Sequence, residues 1–512
     1  MSEPTTLFEC LAFGGAQDPA IGAPSRLDLT YEGLRTLVET SVARLNELGI
    51  GRNDAVGIVL PNGPEMAAAF VSVACAATAA PLNPAYRADE YAFYLTDLNA
   101  KALIVAEGVD TAAREAAAKA GIPVLELTAD EGGPAGSFSL AGSSGKAAAV
   151  DRSGGGLARA QDIALVLHTS GTTSRPKIVP LSHTNVCASA RNVAASTALV
   201  STDRCLNIMP LFHIHGLIAA VSSSLGAGAS VFCTPGFNAL KFFAWLDEAG
   251  ATWCTAVPTM HQAILARAGR NKEIVAAHKL RFLRSSSSSL PPQVMTLLEE
   301  TFGCPVIESY GMTEAAHQMT SNPLPPGTRK AGTVGIAAGP EIAIMTEVGP
   351  DLLPPGGTGE IVIRGANVTL GYANNPKANA EAFTDGWFRT GDQGVMDEAG
   401  YVSITGRLKE IINRGGEKIS PREVDEVLMD HPAVQQVVTF AVPHDKLGEE
   451  VAAAVVLREG EQAKDSDLKE FAAQRLADFK VPRTILLLDE IPKGATGKLQ
   501  RIGLAEKLGL AP

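Results

Sequence analysis

The stretch His168-Thr-Ser-Gly-Thr-Thr-Ser-Arg-Pro-Lys177 decides the reading of this chain. It follows the apolar run IALVL at 163–167 and precedes a helix-like segment opening near Ser182 and Thr184. Hydroxyl side chains, one glycine and a lysine in a short turn can wrap an anion with backbone N–H groups, hydroxyls and one positive charge. The spacing of Gly171 and Lys177 matches a Walker loop, but Pro176 replaces the second glycine and Ile178 replaces the Ser/Thr that would bind magnesium. The loop therefore reads as a phosphate cradle of another kind. A solvated Ser/Thr turn is the alternative that the ten residues leave open on their own.

Outward from this loop, AVGIVL at 55–60 and ALIVA at 102–106 alternate with helix-like stretches. That pattern predicts α/β layers with largely parallel sheets. The Gly/Ser/Ala-rich segment 130–156 is expected to be a surface loop or irregular connection. From about Ala338, short alternating runs such as GEIVIRG predict a β-rich subdomain to about 405. Beyond it, VQQVVTFAV, VAAAVVL and RTILLL fit a separate small domain over 410–512. The fold class is α/β, with a large N-terminal domain over 1–406 of layered α/β sheets plus the β-rich subdomain. A junction at 407–409 leads to a small C-terminal α+β domain.

Two further segments carry chemistry. Ser309-Tyr-Gly-Met-Thr-Glu314 puts a flat aromatic face beside a glycine, suited to a purine. In it Thr313 offers a phosphate hydroxyl and Glu314 a hard oxygen ligand for Mg²⁺. Trp387-Phe-Arg-Thr-Gly-Asp392 places an acid after a glycine turn, where it can accept from both hydroxyls of a ribose.

Composition excludes other classes. The 512 residues carry 43 Lys and Arg against 55 Asp and Glu, a net −12 that argues against nucleic acid or an anionic membrane surface as partner. Seven cysteines without CxxC spacing predict buried reduced thiols, with neither a disulfide framework nor a zinc site. The uncharged runs at 66–81 and 216–237 read as buried helix and strand, not membrane spans. The opening residues lack a signal-peptide pattern and the chain ends GLAP, so the expected location is the cytoplasm.

Taken with GEIVIRGANVTLGY (359–372), GRLKEIINRGGEKISP (406–421) and PKGATGK (492–498), these segments resemble the adenylate-forming superfamily of acyl-CoA synthetases, luciferases and peptide-synthetase adenylation domains. The resemblance covers nearly the whole chain. It implies a two-step reaction with ATP, Mg²⁺ and coenzyme A. A carboxylate attacks the α-phosphorus to give an acyl-adenylate and diphosphate, then a thiol displaces AMP. By the resemblance, Thr169, Ser170, Gly171, Thr172, Thr173 and Lys177 hold the β- and γ-phosphates. Ser309, Tyr310, Gly311 and Thr313 contact the nucleotide, with Tyr310 on the adenine, Thr313 on the α-phosphate and Glu314 on Mg²⁺. Asp392 and Arg407 hold the ribose. Lys498 bridges carboxylate and α-phosphate, Lys409 is the hinge of a mobile C-terminal domain, and Arg414, Gly415, Gly416 and Lys418 flank the pantetheine arm. Relatives usually have glycine where Ile178 stands. A left-handed backbone there would strain this β-branched residue, so Ile178→Gly is expected to raise turnover.

The acid is read from polar residues where an apolar tunnel would otherwise be needed. His213 and His215 in PLFHIHG, Arg284 to Ser289 in RSSSSS, and His317 after MTEAA suit a small pocket for a second carboxylate or other polar head. His213 is also expected to gate the pocket before coenzyme A enters. The texture of these segments resembles the oxalate–CoA ligase branch, implying oxalate as the small carboxylic acid. Malonate, a hydroxycinnamate or a medium-chain fatty acid are the nearest alternatives. Transfer of the acyl group to an amine or carrier thiol, and a degenerate nucleotide-binding protein, are the others.

Overall fold

The computed structural model describes residues 3–142, 154–169, 176–492 and 499–511. Of these, one compact unit takes 3–169, 176–341 and 363–383, and a second takes 342–362 and 384–511. The first unit is built on two large sheets. In one, the strands run in the order Ile336–Ala337, His317–Ser321, Val306–Met312, Phe282–Ser285, Trp253–Ala256, Arg204–Asn207, Ser230–Cys233, Pro19–Gly22 and Leu29–Thr30. From Val306–Met312 to Pro19–Gly22 the neighbouring strands pair in parallel and are buried on both faces, which is why they read as near-continuous apolar runs. Helices carrying Phe242, Phe243, Leu246 and Leu298 cover it, and these side chains form one core with Leu206, Cys254 and Leu283.

The other sheet runs Phe138–Gly142, Val124–Ala129, Ala102–Ala106, Ala55–Val59, Thr78–Pro81, Ile163–Thr169 and Lys177–Ser182. The strand Phe138–Gly142 lies inside the segment expected to be loop. Its antiparallel pairing with Val124–Ala129 recruits a Ser/Gly-rich stretch whose composition gives no strand signal. Residues 143–153 of that segment lie outside the described residues.

The helix after the phosphate loop opens at Ser182 as expected. Thr169 pairs with Lys177 and His168 with Ile178 across an antiparallel hairpin, so a strand stands between the loop and the helix His183–Ser196. The helix opens on a reciprocal Ser182–Asn185 cap, and its His183 and Thr184 N–H groups bond the Asp162 and Ala160 carbonyls. Ile178 is extended strand, 7% exposed, and its carbonyl accepts the Ala373 N–H at 3.0 Å. A β-branched residue suits that environment, so the strain expected there does not arise. The expected outcome for Ile178→Gly is thus reversed. It loses about 3 to 5 kcal/mol of stability through burial and backbone entropy, read as a lower thermal midpoint, with no gain in turnover.

The second unit holds most of a five-stranded sheet, ordered Glu341–Met345, Thr358–Arg364, Trp387–Met396 and Phe383–Thr384, with Val402–Arg407 paired to Trp387–Met396. It also holds a sheet ordered Glu417–Ile419, Ile412–Arg414, Gly448–Leu457 and Val434–His444, with Thr484–Leu487 beside Gly448–Leu457. The helix Pro421–Met429 packs Val424 and Leu428 onto Val437, Val451 and Val455. All seven cysteines are buried and unbridged. Among the described residues no helix is long and apolar enough to cross a membrane.

Candidate active site

In the first unit the strand Val306–Met312 turns back on His317–Ser321 through the short 3₁₀ turn Thr313–Ala315. The turn is so tight that a methyl on Gly311 would lie 1.7 Å from the His317 carbonyl oxygen, which explains a glycine between Tyr310 and Met312. Ala316 and His317 take left-handed φ of 48° and 99° to complete it. Strain of this kind persists only where its surroundings hold it in place. Tyr310 is buried, and Ser309 is tied into the sheet by its Oγ at 3.1 Å from the Ser321 hydroxyl. Glu314 is buried, and its Oε1 accepts the Tyr372 O–H at 2.8 Å. Lys177 Nζ stands 4.3 Å from the centroid of the same tyrosine ring.

The acyl candidates converge on Arg284. Its side chain, in the strand Phe282–Ser285, is fully buried. Nη2 donates to His317 Nε2 at 3.0 Å and to Gln318 Oε1 at 2.9 Å, while Nη1 donates to Thr255 Oγ1 at 3.3 Å and to His215 Nε2 at 3.4 Å. A guanidinium only donates, so the facing nitrogens of both histidines are acceptors and both rings are neutral, with the proton on Nδ1. Thr255 then donates to His215 Nε2 at 2.6 Å, and His215 Nδ1–H donates to Ser287 Oγ at 3.1 Å. The His215 and His317 rings stack with centroids 5.0 Å apart. Burial pushes the Arg284 pKa down to about 9, which still leaves a cation at neutral pH. Among the described residues its partners are all neutral, and its Nε has none.

His215 reaches this cluster from the first residue of the buried π-helix His215–Ser222, a wide-turn form frequent at functional sites. His213 is half-buried, its Nδ1 accepting the His215 N–H at 3.2 Å. Of the serine run, Ser287 is the residue bonded to His215. Ser287 has a left-handed φ of 76°, and Arg284 and Ser285 are strand where a turn is expected from the serine run. Thr255, Gln318 and Tyr372 are the residues the sequence reading missed.

Asp392, Arg407, Arg414 and Lys418 have charged partners within the second unit. Asp392 and Arg407 are cross-strand neighbours, with Arg407 Nε 2.9 Å from Asp392 Oδ1. Lys409 is exposed after Leu408, whose N–H bonds the Gly391 carbonyl at 2.9 Å. Gly415 and Gly416 form a left-handed turn (φ 61° and 101°) between the strands carrying Arg414 and Lys418. Arg414 pairs with Glu450 at 2.6 Å and Lys418 with Glu347 at 3.0 Å. Ser170, Gly171, Thr172, Thr173 and Lys498 lie outside the described residues.

Among the described residues no cluster of three or more His, Cys, Asp or Glu could cage a metal. The lone carboxylate of Glu314 fits Mg²⁺, which keeps waters and binds largely through phosphate oxygens.

Residues 15–373 match the AMP-binding enzyme family, and residues 423–498 match the AMP-binding enzyme C-terminal domain. The chain is 46% identical over 487 residues to an oxalate–CoA ligase of Arabidopsis thaliana, covering 94% of each. It is 43% identical over 476 residues to an oxalate–CoA ligase of Saccharomyces cerevisiae, covering 89% of this chain and 87% of that one. The crystal structure of ATP-bound MatB from Rhodopseudomonas palustris superposes with a TM-score of 0.88 at 29% identity, over 98% of both chains.

Proposed function

This chain belongs to the AMP-binding enzyme family, and we propose that it is an ATP-dependent ligase joining oxalate to coenzyme A through an oxalyl-adenylate. One oxalate oxygen attacks the α-phosphorus of ATP and the bond to diphosphate breaks. The thiol sulfur of coenzyme A then attacks the acyl carbon, its proton leaves to solvent, and AMP departs.

The observation that carries the choice of acid is Arg284. A fully buried cation with only neutral partners is costly unless an anion completes it. Oxalate brings that anion, because its second carboxylate lies one bond from the reacting one. The chain from Arg284 through Thr255 and His215 ends on the Ser287 hydroxyl, whose own proton is left to donate to the substrate. His317 is held by the same guanidinium. His213, Ser289 and the half-buried Ser287 form the mouth of this pocket. A fatty or aromatic acid offers no charge to Arg284.

For the nucleotide, the chemistry is positioning and charge neutralisation between two anions. Thr169, Ser170, Gly171, Thr172, Thr173 and Lys177 hold the outer phosphates and Thr313 the inner one. Glu314 holds Mg²⁺, which when bound neutralises phosphate charge. Tyr310, with Ser309 and Gly311, forms the adenine face, and Asp392 and Arg407 take the ribose. Lys498 offsets the charge on the attacking carboxylate, Lys409 is the hinge, and Arg414, Gly415, Gly416 and Lys418 accommodate the pantetheine arm. Seven reduced buried thiols support a reducing compartment, the cytoplasm.

AMP formation with ATP, Mg²⁺ and coenzyme A across oxalate, malonate, acetate, octanoate and 4-coumarate tests the reading. Oxalate is expected to exceed acetate, octanoate and 4-coumarate by about tenfold or more, the worth of one buried charge contact. Preference for octanoate or 4-coumarate would sink the argument from Arg284, and preference for malonate would keep the argument while changing the acid.

A further inference from the structure

Tyr372 occupies an unusual place between two groups of opposite charge. Its hydroxyl donates to Glu314 Oε1 at 2.8 Å, and its ring face carries Lys177 Nζ at 4.3 Å. The ring is nearly buried, and its hydroxyl has the Glu314 carboxylate as acceptor. The backbone around it is stapled on three sides. Thr369 N–H bonds the Glu314 carbonyl at 2.7 Å and Thr369 Oγ1 donates to the Pro180 carbonyl at 2.8 Å. Ala373 N–H bonds the Ile178 carbonyl at 3.0 Å, and Asn379 closes a reciprocal pair with Tyr372, Oδ1 accepting its N–H at 2.7 Å and Nδ2 donating to its carbonyl at 2.9 Å. Gly371 permits the approach: its φ is 139° and a methyl there would lie 2.9 Å from Asn379 Oδ1.

We infer that Tyr372 is a positioning residue that sets the Mg²⁺ and ATP requirement of adenylation, by fixing the Glu314 carboxylate through its hydroxyl and the Lys177 ammonium through its ring. The inference rests on the reading of Glu314 as the cation's ligand and Lys177 as a phosphate contact. The hydroxyl bond to Oε1 limits the carboxylate's freedom to rotate, so the residue that would hold the cation is held in one orientation. Outer-shell donors of this kind are typically worth about 10- to 100-fold in metal affinity. The ring restrains a flexible lysine without supplying a counter-ion that would compete with phosphate. A cation–π contact in a partly desolvated site is worth a few-fold to about 30-fold.

The test uses the full-length enzyme with Tyr372→Phe, Tyr372→Leu and Glu314→Gln. Three quantities are read: the Mg²⁺ dependence of oxalate-dependent ATP–diphosphate exchange, the KM for oxalate, and calorimetric binding of a non-hydrolysable ATP analogue with and without Mg²⁺. Tyr372→Phe keeps the ring and is expected to raise half-saturating Mg²⁺ by about tenfold, with the oxalate KM and the metal-free affinity for the analogue unchanged. Tyr372→Leu is expected to add a loss of about tenfold in metal-free analogue affinity. If Tyr372→Phe leaves the Mg²⁺ requirement unmoved while Glu314→Gln raises it, the inference falls and the reading of Glu314 stands. If Glu314→Gln leaves it unmoved, both fall. A Tyr372→Phe enzyme that lowers the thermal midpoint and weakens Mg²⁺, analogue and oxalate alike would show a merely structural tyrosine, and that too overturns the inference.

Discussion

Arg284→Gln is expected to lower oxalate-dependent AMP formation by about 10²- to 10³-fold while leaving the thermal midpoint unchanged or raised. The two effects have opposite signs because the same charge has opposite consequences in the two states. Without substrate, Arg284 is a desolvated cation among Thr255, Gln318, His215 and His317, and replacing a buried charge with a neutral group of similar length is often neutral or stabilising. With oxalate bound, losing the cation leaves the second carboxylate buried and unpaired, which costs about 2 to 5 kcal/mol. Arg284→Lys is not expected to rescue, since an ammonium cannot reproduce a fork that reaches His317 and Thr255 at once. Steady-state AMP formation beside thermal melts decides the matter. An Arg284→Gln enzyme that keeps its oxalate activity would remove Arg284 from the pocket, and one that loses activity only by unfolding would make it structural.

The second large effect is expected at Lys498. Lys498→Ala should lower diphosphate release by about 10²- to 10³-fold, the size of losing one preorganised electrostatic contact to a reacting oxygen. Thioester formation from preformed oxalyl-adenylate should change by less than about tenfold, because no two anions have to be brought together in that step. Measuring the two half-reactions separately is the check. Equal losses in both would argue for a lysine that holds the lid domain together and does no chemistry.

The parallel strands of the first unit were legible because burial on both faces writes long apolar runs. The strand Ala102–Ala106 falls where ALIVA predicts it. Phe138–Gly142 was not legible, since its pairing is supplied by Val124–Ala129 and not by its own residues. Arg284, His215 and His317 could be nominated from polar groups in places where an apolar lining was expected. Thr255 could not, because it joins them through the register that sets it opposite Arg284 on a neighbouring parallel strand. Which serine of the run meets His215 was not legible, because a serine run carries no periodicity that would single out one hydroxyl. Tyr372 lies in a motif that marks the family, yet its task depends on the hairpin and the Glu314 turn arriving from elsewhere in the chain. Ile178 shows the converse, a departure that looks strained in the sequence and is ordinary in a strand.

That hairpin separates what insertions and deletions can do to this enzyme. The loop's closing pair is Thr169 opposite Lys177. Closure entropy varies slowly with loop length, but the residues between them are those assigned to the outer phosphates, so an insertion there acts on the nucleotide contacts. The pairing of the two strands is not free, because sliding one past the other by a single residue turns every side chain to the opposite face. Such a slip would carry Lys177 off the Tyr372 ring and expose Val179 in its place. A change of length inside the loop should therefore be felt in nucleotide binding, and a one-residue slip of its flanking strands in folding.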